Sequence, residues 1–268
     1  MPEPGAVERF HLRRGQAPLL ISLPHDGTYL PPALADRMTP EARRVPDTDW
    51  WMSKLYGPIA AALDASLIVP THSRYVIDLN RPPEDHSLYP GQNTTGLCPA
   101  VRFDGGPVYL EGEAPGPGEI AGRIEHYWRP YHEALAAELA RLQARHGRVL
   151  LWEGHSIASR LPWLFEGELP ELNLGTAAGA SCHPATEAAL RAVLEAQSRF
   201  GWVVNGRFKG GFITRHYGRP AQGVEAVQLE VAQRAYLEEP AGPWDPERAA
   251  PLQAQVRALI EAALAALR

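Results

Sequence analysis

The sequence predicts an α/β protein of three layers, with helices on both faces of a mixed, mostly parallel central sheet. Short apolar runs at residues 17–23, 148–153 and 224–231 read as buried strands. The segments between them carry apolar residues at three- and four-residue spacing, so strand and helix patterns alternate along the chain. Hydrophobic residues make up 45% of the 268 positions, enough for a substantial core, and 21% charged residues exclude wholesale disorder. With no internal repeat and no linker, residues 1–268 read as one domain carrying a long loop insertion at about 80–118.

The first strand, 17–23, is closed by Pro24 and Gly27. Asp47-Thr48-Asp49 precedes an amphipathic stretch from Trp50 to Leu63, which marks a capped helix. Ser66 to Pro70 and Tyr75 to Leu79 are the next strand candidates. Residues 80–118 lack periodicity and are rich in proline and glycine, as in a functional loop or lid. From Glu119 to His146 a long helix is expected, kinked or restarted at Pro130. Strand 148–153 follows, then a loop containing Leu172 to Gly175, and a helix from Pro184 to Ser198. Residues 201–217 carry the turn signals Asn205-Gly206 and Gly210-Gly211 and read as hairpin-rich, with a strand before Arg215. Strand 224–231 and a helix of about twenty residues after Pro251 complete the chain.

A net charge of −5 leaves no electrostatic footprint for nucleic acid. No apolar run reaches the roughly 18 residues of a membrane span. Met1 to Gly5 lack a signal-peptide pattern, and the two cysteines, Cys98 and Cys182, form no CxxC pair. A reducing cytoplasm is therefore expected. Neither GxGxxG nor GxxxxGK[ST] follows the first strand, which argues against nucleotide binding.

His25 and His155 each end a strand-like run, where ligands of an open α/β sheet bind. Alone, either is a turn histidine bonded to local backbone. Together they suggest a metal site, since neutral imidazole is the commonest metal ligand. A hydrolytic zinc site adds one carboxylate and leaves a position for water. Position 28 is Thr, so no His-x-x-Glu motif supplies that carboxylate; Asp47 and Asp49 are the nearest candidates, with helix capping as the alternative for each. Glu230 ends an apolar strand and suits a general base, or else a salt bridge to an arginine. Arg74 and Arg81 flank Asp78 and Asn80, and with Arg215 they suit an acidic small-molecule substrate unless they are merely solvated.

At these residues the chain resembles the N-formylglutamate amidohydrolases of bacterial histidine degradation. The matching segments are SLPHDGTYLP at 22–31, PDTDWWMSKLY at 46–56 and THSRYVIDLNRPPEDHSLYPGQNTTGLCP at 71–99. They continue with YWRPYHEAL at 127–135, WEGHSI at 152–157, LNLGTAAGASCHP at 172–184, GRFKGGFITRHYG at 206–218 and VQLEVAQRAYL at 227–237. The resemblance implies a phosphorylase/hydrolase-like fold akin to zinc carboxypeptidases. It implies one divalent ion, zinc, held by His25, Asp49 and His155, with Glu230 as the catalytic glutamate. Arg74, Asn80, Arg81 and Arg215 would then surround N-formyl-L-glutamate, which is hydrolysed to formate and L-glutamate. A deacylase for another N-acyl amino acid and a non-catalytic metal- or ligand-binding protein are the competing readings.

Overall fold

The computed structural model describes residues 7–88 and 91–267. The N-terminal segment Met1 to Gly5, and Tyr89 and Pro90 of the long matching motif, lie outside the described residues. The strands are β1 (Phe10–Arg13), β2 (Leu19–Ser22), β3 (Ser66–Pro70), β4 (Val149–Ile157), β5 (Leu172–Gly175), β6 (Trp202–Val204) and β7 (Val224–Ala232). The helices are α1 (Pro32–Ala35), α2 (Met52–Ala62), α3 (Pro117–Arg123), α4 (Arg129–His146), α5 (Pro184–Glu195), α6 (Phe212–Tyr217) and α7 (Pro246–Ala266).

The strands form a seven-stranded sheet in the order β1-β3-β2-β4-β7-β5-β6. Four of its six pairings are parallel and two, β1 with β3 and β5 with β7, are antiparallel. This is the mixed, mostly parallel sheet expected. Both faces are covered. Leu19, Ile21, Leu150, Trp152, Val227 and Leu229 pack into one core with residues of α2, α5 and α7. Leu20, Val149, Leu151 and Ala226 pack on the other face against Tyr131, Leu135, Leu139 and Leu142 of α4 and Ile213 of α6. Covering on both faces explains why the central strands read as nearly continuous apolar runs. It also explains the two-residue alternation that sends 149, 151, 153 and 155 to the α4 and α6 side.

Several boundaries differ from the sequence reading. Tyr75 to Leu79 is a turn segment and not a strand; Asp78 N–H donates to Leu97 O at 2.7 Å, and Val76 N–H to Ser73 O at 2.9 Å. Its apolar residues are buried without sheet pairing, and composition cannot tell the two apart. Leu172 to Gly175, expected as loop, is β5. The 201–217 segment holds one short strand, β6, parallel to β5, and then α6, so Arg215 sits on a helix and not after a strand. Edge strand β1 carried no sequence signal. The last helix begins at Pro246, before Pro251, capped by Asp245 accepting from Glu247 N and Arg248 N. Around Pro130 the helix neither breaks nor restarts. Residues Ile124–Trp128 form a wide π-type turn, with Arg129 N–H reaching Ile124 O, and α4 continues from it.

The described residues of 80–116 hold no regular helix or strand, yet they are tied to the rest of the fold. Thr39 N–H donates to Val108 O at 3.0 Å, and Leu110 N–H donates to Arg37 O at 2.9 Å. Among the described residues no helix is long and apolar enough to cross a membrane.

Candidate metal centre and active-site cavity

The cavity opens at the carboxyl ends of β2, β4 and β7. His25 follows β2, His155 lies on β4, Glu230 lies on β7, and Asp49 comes from the segment before α2. Asp49 does not cap that helix. The N-cap position is Trp51, held at φ 66° with no side-chain cap bond, so the sequence spends an unfavourable left-handed conformation there. Asp49 N–H donates to His25 O at 3.1 Å, which binds the two segments together. The freed carboxylate turns inward: Asp49 Oδ2 lies 2.9 Å from His155 Nδ1 and 3.7 Å from His25 Nδ1, and accepts from Ser156 N–H at 3.1 Å.

One ligand atom from each of His25, Asp49 and His155 lies within 4.8 Å of the others, and all three residues are buried. The outer ring nitrogens are held by carboxylates. His25 Nε2 donates to Asp78 Oδ1 at 2.7 Å, and His155 Nε2 donates to Glu153 Oε1 at 2.7 Å. With an ion bound, each Nε2 would keep the proton it shares with its outer carboxylate, and each Nδ1 would offer the ion a lone pair in place of a proton. Two imidazoles and one carboxylate, oriented by outer carboxylates, are a donor set that fits a divalent ion such as zinc. Asp47, the alternative acidic candidate, is elsewhere: its Oδ2 accepts from Phe103 N–H at 2.9 Å and pins the long loop.

Electrostatics follow the same division. Burial opposes charge on Asp49, but hydrogen bonds from His155 and His25 hold it below the usual carboxylate range. Burial likewise opposes charge on Asp78, yet His25, Arg74 and Arg81 hold its carboxyl well below that range. On His155, burial is outweighed by Glu153 and Asp49, which raise its pKa well above the ordinary imidazole value. Glu230 behaves oppositely. Among the described residues no hydrogen bond or ion pair reaches its carboxylate, and burial pushes its pKa up to about 8, reinforced by Asp49 and Glu153 and opposed by His155 and Arg74. The salt bridge considered for Glu230 from the sequence is therefore not formed.

The substrate candidates separate. Arg74, Asn80 and Arg81 line the cavity together with His25, Asp49, His155 and Glu230. Arg74 is largely committed, with Nη2 donating to Asp78 Oδ2 at 2.6 Å, Nη1 3.8 Å from Asp49 Oδ1, and its plane 4.7 Å above Phe103. Arg81 lies 3.9 Å from Asp78 Oδ2. Asn80 accepts from Ile213 N–H at 2.9 Å, and a Cβ on Gly211 would collide with its amide, so the glycine is what lets α6 approach. Arg215 does not line the cavity; it is exposed, and its Nε donates to Gly210 O at 2.8 Å.

Sequence reasoning gave no role to Asp78, Glu153 or Arg207. Glu153 lies two residues before His155 in an apolar strand, hence on the same face, and that spacing was a usable signal. Its second oxygen accepts from Thr214 N–H at 3.0 Å and from the Thr214 hydroxyl. Arg207, in the GRFKGG turn, carried no comparable signal, but it lines the cavity with Asn93, Thr94, Thr95 and Phe208.

The family model described as N-formylglutamate amidohydrolase matches residues 17–237. The chain belongs to the N-formylglutamate amidohydrolase family. It is 50% identical over 259 residues to the N-formylglutamate deformylase of Pseudomonas aeruginosa, covering 96% of this chain and 97% of that protein. It is 48% identical over 260 residues to the N-formylglutamate deformylase of Pseudomonas putida, covering 97% and 96%. Among solved structures, the N-formylglutamate amidohydrolase of Ralstonia eutropha JMP134 superposes with a TM-score of 0.80 at 26% identity, over 96% of this chain and 97% of that one. A protein of Agrobacterium tumefaciens shares the fold, with a TM-score of 0.73 at 17% identity over 97% and 96%.

Proposed function

We propose that this chain hydrolyses N-formyl-L-glutamate to formate and L-glutamate, using one divalent metal ion, zinc, held by His25, Asp49 and His155. The observation that carries the reading is the convergence of His25 Nδ1, Asp49 Oδ2 and His155 Nδ1 in a cavity that also holds the unpaired Glu230 carboxylate. Membership of a family whose relatives act as N-formylglutamate deformylases supports the substrate.

A divalent ion held by His25, Asp49 and His155 would supply Lewis acidity for the formyl carbonyl and for the attacking water. Glu230, buried and without a cationic partner, accepts the proton of the attacking water. It returns that proton to the amide nitrogen as the C–N bond breaks, so formate and the free amine leave together. Its raised pKa suits both halves of this exchange near neutral pH. Asn80 and Arg81 bind the α-carboxylate, which lies on the carbon that bears the amide nitrogen and so beside the reacting atoms. Arg74 keeps Asp78 and Asp49 charged and in place. Asn93, Thr94, Thr95 and Phe103 line the same cavity.

This reaction would stand at the end of a histidine degradation route, and the free thiols Cys98 and Cys182 fit a reducing cytoplasm. The test is release of free L-glutamate from N-formyl-, N-acetyl- and N-succinyl-L-glutamate. Release from the formyl compound in clear preference to the other two is expected. Preference for a larger acyl group would replace this reading with a different deacylase, and no release from any of them would favour a non-catalytic binder.

A further inference from the structure

The cavity is divided by charge. The side beneath the sheet edge carries Asp49, Asp78 and Glu230 with Arg74 and Arg81. A further part of the wall, Asn93, Thr94, Thr95, Leu164, Arg207 and Phe208, contributes no carboxylate among the described residues. On that wall Arg207 is held in a defined pose. Its Nε donates to Leu164 O at 3.3 Å, its Nη2 donates to Asn93 O at 3.1 Å, and its guanidinium lies 5.2 Å from the Phe208 ring centre. In the same lining the Thr95 side chain, 6% exposed, has a hydroxyl with no hydrogen-bond partner among the described residues. A buried hydroxyl left without a partner in a cavity wall is a costly arrangement unless a ligand completes it.

A glutamyl substrate brings two carboxylates, and the second lies two methylenes beyond the α-carbon. Once the α-carboxylate is beside Arg81, a second cation must meet the other. Arg74 is already engaged by Asp78 and Asp49, and Arg215 lies outside the cavity lining. Resting on the amidohydrolase reading above, we propose that Arg207, with the Thr95 hydroxyl, binds the side-chain carboxylate of the substrate and sets the selection for an acidic N-formyl amino acid. Leu164, Phe208 and Phe103 give the intervening methylenes an apolar surround. A planar guanidinium meets a carboxylate through two parallel hydrogen bonds, which an uncharged amide reproduces poorly.

The test compares N-formyl-L-glutamate with its uncharged isostere N-formyl-L-glutamine, in the metal-loaded wild type and in Arg207→Met. The wild type should prefer the glutamate. In the variant, KM for N-formyl-L-glutamate should rise by about tenfold to a hundredfold while kcat changes little and the glutamine constants stay put. Equal losses on both substrates would make Arg207 a structural residue, and no loss on either would remove it from the site; each outcome overturns the proposal. Should Arg207→Met fail to fold, Thr95→Val carries the test, with a smaller loss confined to the glutamate substrate expected and an unselective loss or none contradicting it. If the wild type releases formate from neither compound, the amidohydrolase reading fails on its own. Calorimetric binding of glutarate against butyrate to wild type and variant then decides the carboxylate site. Glutarate affinity lost in the variant sustains the site, and equal affinity overturns it.

Discussion

His155 and Glu230 are register partners on the adjacent parallel strands β4 and β7, so their side chains leave the sheet on the same face. Their neighbours two residues back, Glu153 and Gln228, are register partners as well. Two successive rungs of one strand pair thus deliver the imidazole proposed as a metal ligand, the carboxylate bonded to it, an amide that ties in α6, and the proposed general base. Gln228 Oε1 accepts from Gly211 N–H at 2.7 Å, which ties α6 to the same rung.

The register predicts that the roles of Glu230 and His155 separate. Glu230→Gln keeps the shape and removes the proton acceptor. It should lower kcat by about a hundredfold to ten-thousandfold while the protein retains its metal. Steady-state kinetics beside metal analysis after gel filtration would check this, and full turnover in the variant would remove Glu230 from proton transfer.

The carboxylates behind the histidines should be read out as metal affinity. Glu153→Gln and Asp78→Asn each loosen an imidazole whose Nδ1 faces the ion, and metal should bind about 10- to 100-fold more weakly. Competition with a chromogenic chelator measures this directly. Wild-type affinity in both variants would show that the histidines need no outer carboxylate.

Asp47 and Asp49 lie two residues apart and should respond differently. Asp49→Asn removes a ligand and the anchor on Ser156 N–H, so bound metal should fall to background. Asp47→Asn should keep its metal, yet free the long loop at Phe103 and speed its cleavage by protease. Metal loss in Asp47→Asn with retention in Asp49→Asn would reverse the two assignments.

These aspartates also mark how far the sequence could be read. His25, His155 and Glu230 were legible because each ends an apolar run, and the strand period sets which face a residue takes. The α/β class and the strand cores 17–23, 148–153 and 224–231 were legible for the same reason. Asp49 was not separable from Asp47 by local rules, since both fit a helix cap and the choice rests on Trp51 adopting a left-handed backbone. Tyr75–Leu79 looked like a strand because burial in a turn segment and burial in a sheet leave the same composition. Arg215 was read as following a strand and instead lies on α6, which redirects the side chains that follow Gly211, whereas Arg207 carried no local signal.

Acid stability should reveal His132, which is not among the proposed metal ligands. Its Nε2 donates to Leu79 O at 2.9 Å, and its ring stacks on Trp128 with centroids 3.8 Å apart. Burial depresses its pKa from 6.5 to about 3, offset only partly by the bond to Leu79. The unfolded chain therefore binds a proton below pH 6.5 that the folded state refuses, so this contribution is intact above that pH and lost as pH falls toward 3. Denaturant midpoints measured from pH 7 to pH 4 should fall more steeply for wild type than for His132→Gln, by up to about 1.4 kcal/mol per pH unit. Parallel profiles would mean that His132 titrates normally in the folded protein.

The central claim is that one ion at His25, Asp49 and His155 works with Glu230 on a formyl amide. The direct measurement is to strip the protein with a chelator, return zinc in sub-stoichiometric steps, and follow formate release from N-formyl-L-glutamate. Activity should rise linearly and level off at one equivalent per chain, and Asp49→Asn should stay flat throughout. Full activity in the stripped protein, or an equal response from Asp49→Asn, would contradict the account.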